Sequence, residues 1–256
     1  MILLRSTIFN LVFYGATALA CLLCLPSLLL PRKGVFFVIH AFVYTVHFFE
    51  KYILGLTYEV RGAENLPQDG SYIVAAKHQS PYETMKLHIL FKDPAIVLKR
   101  ELLSIPLWGR FLARTNPIAI DRKQGKEAMN QVVDGAKRVK EENRAIVIFP
   151  QGTRVYPWQT IKDKPYKSGI VRMYTETSMP VVPLALNTGL FWPRKSWIKR
   201  PGKVIFQFMP PVRAGMDAET FTKTLQDQIE TTTEALQQEA LATNKYLVPP
   251  IRPQEA

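Results

Sequence analysis

Two long apolar stretches open the chain, and short ones recur after them. Residues 8–30 are almost unbroken apolar sequence, interrupted by Asn10 and Pro26, and Arg32 and Lys33 follow. A second apolar stretch covers 35–49 and ends at Glu50-Lys51. The first is long enough to cross a bilayer. The second, of about 15 residues, gives roughly 22 Å of helix against a hydrocarbon core near 30 Å. Two full crossings would also leave Arg32 and Lys33 on the far side, against the positive-inside tendency. The pattern therefore predicts a membrane-associated two-helix hairpin over 1–56, which could re-enter the leaflet it came from, rather than two clean spans. A cleaved signal peptide fits less well, because no small-x-small site follows Leu30 and a second apolar stretch does. His40 and His47 share a helical face with Tyr44 between them and read as packing residues at the headgroup level.

From residue 57 the pattern shortens. Strands are expected at 58–61, 71–76, 95–98, 117–120, 145–149, 181–186 and 204–208, each short and β-branched or apolar. Helices are expected at 82–91, 125–142, 167–177 and 217–242. Within 125–142, Met129, Val132, Val133, Ala136 and Val139 recur at helical spacing, with Lys and Glu on the other face. In the last helix Phe221, Leu225, Ile229 and Leu236 form the apolar stripe, and Asp217 suits an N-cap. This alternation predicts an α/β domain over 57–245, its central sheet mostly parallel or mixed and flanked by helices. Pro249, Pro250 and Pro253 mark an irregular tail over 246–256.

Composition narrows the partners. Apolar residues make up 47% of the chain and charged residues 21%, enough for a core and against wholesale disorder. Thirty-three Lys and Arg against 21 Asp and Glu give a formal charge of +12, which favours a phospholipid surface, a phosphorylated substrate or nucleic acid. No recognisable nucleic-acid reading module is present, and the hairpin argues against that partner. Cys21 and Cys24 both lie in the first apolar stretch and read as packing residues. With four histidines, two of them in that N-terminal region, no ordinary three-ligand metal site is expected.

The chemistry gathers around Lys77-His78-Gln79-Ser80-Pro81-Tyr82-Glu83. Five residues apart, His78 and Glu83 would stand about 140° apart on a regular helix. They meet only if the chain turns between them, and Ser80-Pro81 supplies the turn, because proline suits the first helical position. His78 should end a strand or loop, with Glu83 in the first turn of the next helix. A histidine so held can take a proton from a hydroxyl while the carboxylate steadies the imidazolium. Asn116-Pro117-Ile118-Ala119-Ile120-Asp121-Arg122 ends a second strand with a cation. Phe149-Pro150-Gln151-Gly152-Thr153-Arg154 ends a third with a glycine, a hydroxyl and a guanidinium. Met179-Pro180-Val181-Val182-Pro183-Leu184-Ala185-Leu186-Asn187 is an apolar strand with two internal or flanking prolines. The C-terminal edges of such strands are where α/β sheets build sites.

In this order and spacing, the four segments resemble the glycerolipid acyltransferase family, and within it the 1-acyl-sn-glycerol-3-phosphate acyltransferases. The resemblance covers about residues 57–210. It implies a membrane enzyme that moves an acyl chain from acyl-CoA or acyl-carrier protein to the free hydroxyl of 1-acyl-sn-glycerol 3-phosphate. The product would be phosphatidic acid, with no other cofactor and with the catalytic domain on the cytoplasmic face (the inner membrane if bacterial). Glycerol 3-phosphate or another lysolipid, such as a lyso-amino-acid lipid, are the alternative acceptors, and a non-catalytic lipid-binding membrane protein is the alternative class. The resemblance makes His78 the base and Glu83 its partner. It puts Arg154, Arg122 and Lys99 on the substrate phosphate, with Gly152 and Thr153 shaping the same pocket. Two positions depart from the family pattern: Glu83 stands where an aspartate is usual, and Gln151 where a glutamate is usual. The Gln151 amide can still donate and accept towards substrate. Pro183 lines the acyl-donor path or is a structural proline at a strand edge. The aromatic and basic run over 190–200 suits anionic lipid or the nucleotide phosphates of coenzyme A.

Overall fold

A computed structural model describes residues 1–251. In chain order the elements are α1 (Ile2–Leu23), α2 (Arg32–Phe49), β1 (Leu56–Arg61), β2 (Ile73–Ala76), α3 (Pro81–Leu90), β3 (Ala95–Lys99), α4 (Trp108–Arg114) and β4 (Ile118–Ile120). There follow α5 (Lys126–Glu141), β5 (Ile146–Ile148), α6 (Ser168–Thr177), β6 (Val181–Leu186), α7 (Thr188–Phe191), β7 (Gly202–Phe208) and α8 (Ala218–Thr243). All seven expected strands form. The short helices α4 and α7 were not expected from the pattern. After α8 no helix or strand is formed as far as Ile251, and Pro253 lies outside the described residues.

The strands make one sheet in the order β1-β7-β6-β2-β5-β3-β4. β2 to β6 run parallel to one another, β7 runs antiparallel to β6, and β1 pairs parallel with β7. Central strands buried on both faces should be continuously apolar, and β2, β5 and β6 are fully buried. Side chains alternate between the faces. Ile73, Ala75, Ile146 and Ile205 pack with Val132 and Ala136 of α5, Met173 of α6 and Phe221, Leu225 and Ile229 of α8. Val74, Ala76, Val147 and Phe206 pack on the other face with Phe9 of α1, Val46 of α2 and Leu87 of α3. The N-terminal helices thus cover part of one sheet face.

Both N-terminal helices are tied to the body near their ends. Arg5 donates to Ile53 O at 2.5 Å, which brings the start of α1 to the segment just beyond α2. Ser6 and Asn10 hold the backbone of Lys199 and Trp197, and the Lys199 ammonium returns to Asn10 at 2.5 Å. At the other end Pro26 sits in a short 3-10 segment between the helices, and Arg32 forks onto Asp93 with two bonds of 2.6 Å. Arg114 donates to Leu30 O nearby. By length and composition only α1 among the described helices could cross a membrane, with a mean hydropathy of 1.7 over its most apolar part. His47 packs against the Tyr58 ring at 5.1 Å and stays partly exposed.

One ion pair joins α2 to α3. Glu50, just past α2, accepts from Lys86 of α3, and both side chains have no exposed surface. The Lys86 ammonium also lies 4.6 Å from the Tyr82 ring centre. Removing one member of such a pair strands a charge in the interior. Glu50→Ala is therefore expected to lower stability by about 3–5 kcal/mol, read as a lower unfolding midpoint in denaturant. The double variant Glu50→Leu with Lys86→Met should keep most of the stability, because it removes both charges.

Candidate active site

Strand order assembles the site. β2 lies between β5 and β6, and all three are parallel, so the segments that follow them emerge side by side at one edge. His78 follows β2, the 149–154 segment follows β5, and Asn187-Thr188 follows β6. β3 and β4 bring Lys99 and Arg122 to the same edge further out.

Pro81 is the first residue of α3, and Ser80 before it is extended, with φ −145°. The Ser80 hydroxyl accepts from Tyr82 N at 3.1 Å, and the Glu83 carboxylate reaches back to Ser80 N at 2.7 Å, closing a capping box. The same oxygen, Glu83 Oε1, accepts from Gln79 N at 2.8 Å and meets His78 Nδ1 at 2.8 Å. Its second oxygen accepts from Thr188 Oγ1 at 2.7 Å. Glu83 is wholly buried, and two backbone amides at a helix N-terminus suit its negative charge. The expected turn at Ser80-Pro81 is what lets histidine and carboxylate meet.

His78 is fixed on its other side by Phe149. Their rings stack at 3.8 Å with an 18° tilt. With Nδ1 turned to the carboxylate, Nε2 is left as the proton acceptor, and the ring lines a cavity. Burial holds the His78 pKa below the ordinary histidine value. Glu83 opposes that shift, while Arg154 and Arg122 push it further down. The imidazole is therefore neutral, and able to act as a base, at physiological pH.

The other expected residues divide. Arg154 is partly buried, lines the cavity and lies within electrostatic reach of both His78 and Glu83. Arg122 donates to Gly152 O, linking the loops after β4 and β5. Gly152 has φ +69°, and a Cβ there would stand 3.4 Å from the Arg122 guanidinium. Thr153 lines the cavity, and Lys99 is exposed where its side chain borders it. Gln151 is turned elsewhere: it is buried, donates to Lys164 O at 3.1 Å and does not line the cavity, so it braces the loop. Pro183 lies within β6 opposite Ala75, a central strand rather than an edge, and does not line the cavity either.

One residue escaped the sequence reading of the site, and a second was noted there only as part of the run over 190–200. Thr188 holds the far oxygen of Glu83, and only strand order brings it there. Arg194 lines the cavity, donates to Arg154 O at 2.6 Å and lies 5.7 Å from the Tyr156 ring. It sits in the aromatic and basic run, whose Trp197 and Lys199 are engaged with α1.

The cavity measures about 910 Å³. Phe13 of α1, Val38 and Phe42 of α2, Met85 of α3, Leu98 of β3 and Phe111 of α4 give it a largely apolar wall. That volume is at the upper end of the range for small-molecule sites.

Fold and site together define an α/β protein with a histidine–carboxylate pair at an apolar cavity, beside guanidinium groups. Residues 57–187 match the model of the acyltransferase family, and the chain belongs to that family. It is 38% identical over 162 residues to the 1-acyl-sn-glycerol-3-phosphate acyltransferase of Pseudomonas aeruginosa, an alignment covering 63% of this chain and 62% of that protein. Against the Saccharomyces cerevisiae protein of the same description it is 31% identical over 164 residues, covering 63% of this chain and 54% of the relative. The matched region thus spans between about half and two thirds of the length of these curated relatives. The crystal structure of the 1-acyl-sn-glycerophosphate acyltransferase of Thermotoga maritima shares the fold, with a TM-score of 0.73 at 22% identity over 92% of this chain and 98% of that one.

The site makes two predictions. If neutral His78 is the base, activity should be lost as pH falls through a histidine pKa lying below the ordinary value. Glu83→Gln removes the group that raises this pKa, so the acid limb of kcat/KM should move to still lower pH while the rate falls about a hundredfold or more. Thr188→Val should lower kcat about tenfold with little change in KM, and Thr188→Ser should retain the rate. Steady-state kinetics across pH checks both.

Proposed function

We propose that this protein transfers an acyl chain from a thioester, acyl-CoA or acyl-carrier protein, to the free hydroxyl of 1-acyl-sn-glycerol 3-phosphate. The product is phosphatidic acid, for phospholipid synthesis. One observation carries the reading: His78, with Nδ1 on Glu83, lines the same apolar cavity as the Arg154 side chain. Family membership and the descriptions of the relatives support the same acceptor.

The chemistry follows from that placement. Nε2 of His78 takes the proton of the acceptor hydroxyl as its oxygen attacks the thioester carbonyl. Glu83, already bonded to Nδ1, stabilises the imidazolium. The tetrahedral intermediate collapses, the C–S bond breaks, and the imidazolium returns its proton to the departing thiolate. The acceptor is itself the nucleophile, so no acyl-enzyme is required. A guanidinium matches phosphate oxygens bidentately, which suits Arg154, with Arg122 and Lys99 adding positive charge. The apolar cavity suits an acyl chain.

The N-terminal helices suit a lipid surface. Phe9 and Val46 pack on the body, while Leu3, Leu11, Leu22, Phe37 and Phe48 are exposed. A pair of helices anchored on one side and apolar on the other fits burial in one leaflet rather than a crossing. The cytoplasmic side is the one where thioester donors are available.

Acylation of lysophosphatidate by the purified protein in detergent or vesicles tests the reading. The wild type should form phosphatidate, and His78→Ala should lose about a thousandfold in rate while keeping its unfolding midpoint. Arg154→Ala should raise KM for lysophosphatidate more than KM for the thioester. Equal rates for wild type and His78→Ala would remove the proposed base.

A further inference from the structure

Two arginines reach the cavity from opposite sides of β2. Arg154 follows β5 and Arg194 follows β6 and α7, the strands on either side of the one that carries His78, and both residues line the cavity. Arg194 Nη1 donates to Arg154 O at 2.6 Å, and its guanidinium lies 5.7 Å from the centre of the Tyr156 ring, so the side chain is held from two directions. That bond uses one of the N–H donors of the fork and leaves the others for a ligand. At Arg154 the buried, unpartnered nitrogen is Nε. Its terminal nitrogens stay accessible and donate to no described residue.

The charges of this pair are not neutralised from within. Burial holds the Arg154 pKa below the ordinary arginine value, Glu83 opposes that shift, and Arg194 adds to it. The two guanidinium charges thus act on each other, and like charges held together favour an anion between them. Among the described residues no Asp or Glu lines the cavity, and neither arginine has a carboxylate partner in an ion pair. Arg32, Arg61, Arg138 and Arg144 elsewhere in the fold each meet one. Glu83 acts on Arg154 from a distance, but both its oxygens are committed to His78, Thr188 and two backbone amides. The cations that bear most on His78 are Arg154 and Arg122, which leaves Arg194 as the outer guanidinium.

A phosphate monoester carries about −1.5 to −2 charges near neutral pH and offers three terminal oxygens, whereas a diester carries about −1 and offers two. One guanidinium fork takes two oxygens. A second fork gains most where a third oxygen and a second charge remain. In 1-acyl-sn-glycerol 3-phosphate the free hydroxyl and the phosphorus are only a few bonds apart, so a hydroxyl at His78 brings its phosphate beside the base. We propose that Arg194 completes a paired-guanidinium clamp with Arg154 for a phosphate monoester, and so sets the preference for lysophosphatidate over lysolipids whose phosphate is esterified twice. The inference rests on the acyltransferase reading and names a residue that selects its acceptor. Coenzyme A carries a phosphate monoester on its ribose, so the donor is the other source of the same chemistry.

The test measures kcat/KM for lysophosphatidate and for lysophosphatidylglycerol of the same chain, with palmitoyl-CoA and with palmitoyl-3′-dephospho-CoA, in wild type, Arg194→Gln and Arg194→Lys. The first substitution keeps a donor for Arg154 O and removes the charge. The second keeps the charge and loses the fork. The rise in unfolding midpoint that each lysolipid gives to His78→Ala, with and without Arg194→Gln, is a second readout that needs no turnover. Wild type should prefer lysophosphatidate. Arg194→Gln should lower the ratio of monoester to diester kcat/KM about tenfold, mainly through KM for lysophosphatidate, and should remove most of the extra stabilisation that lysophosphatidate gives. Arg194→Lys should fall between, and KM for the two donors should change alike. The inference is overturned if Arg194→Gln leaves the preference unchanged in both readouts. It is also overturned if both acceptors lose equally, as they would from a loosened loop at Arg154. A KM for palmitoyl-CoA raised about tenfold while the dephospho donor is spared would assign Arg194 to the donor and overturn it too. If wild type acylates neither lysolipid while lysophosphatidate still stabilises His78→Ala in an Arg194-dependent way, the acyltransferase reading fails and the clamp stands.

Discussion

A single buried carboxylate organises the active edge of this protein. Glu83 accepts two backbone amides, the Thr188 hydroxyl and the His78 ring, using both of its oxygens. The bonds to the amides belong to helix formation: they satisfy donors left free at the start of α3. The bond to His78 serves the proposed chemistry, since it sets the tautomer that leaves Nε2 free to accept a proton. One side chain therefore ends the loop, begins the helix and orients the imidazole. Its extra methylene, relative to the aspartate of the family pattern, is accommodated within the capping box.

The sheet makes this arrangement rigid. Because β2 is flanked by β5 and β6, Phe149 stacks on His78 from one neighbour and Thr188 reaches Glu83 from the other. The N-terminal helices extend the same frame. They cover part of one sheet face, supply a wall of the apolar cavity through Phe13, Val38 and Phe42, and meet α3 through the buried pair of Glu50 and Lys86. The elements that offer apolar surface to the outside are thus the ones that enclose the apolar space within.

Local pattern was enough for what local physics decides. Short apolar runs announced all seven strands, and the proline after Ser80 announced the turn that joins His78 to Glu83. Side-chain direction at the site was not legible. Gln151 stands between cavity-lining Pro150 and Gly152, yet its amide turns to Lys164, a choice made by the fold of a loop rather than by spacing. Pro183 looked like an edge proline, but the sheet order places its strand in the middle. Thr188 is 105 residues from Glu83 in sequence, so no periodicity could pair them, and knowledge that β6 lies beside β2 was required. The Glu50 and Lys86 pair was hidden for the same reason, since charged residues read as surface until their partners are known.

The tautomer of His78 is the most direct measure of this account. Nitrogen-15 NMR of the histidine-labelled protein at neutral pH should show His78 with a protonated Nδ1, its proton shifted downfield by the bond to Glu83, and an unprotonated Nε2. A His78 ring protonated at Nε2, or one exchanging freely between tautomers, would contradict the claim that Glu83 fixes the base.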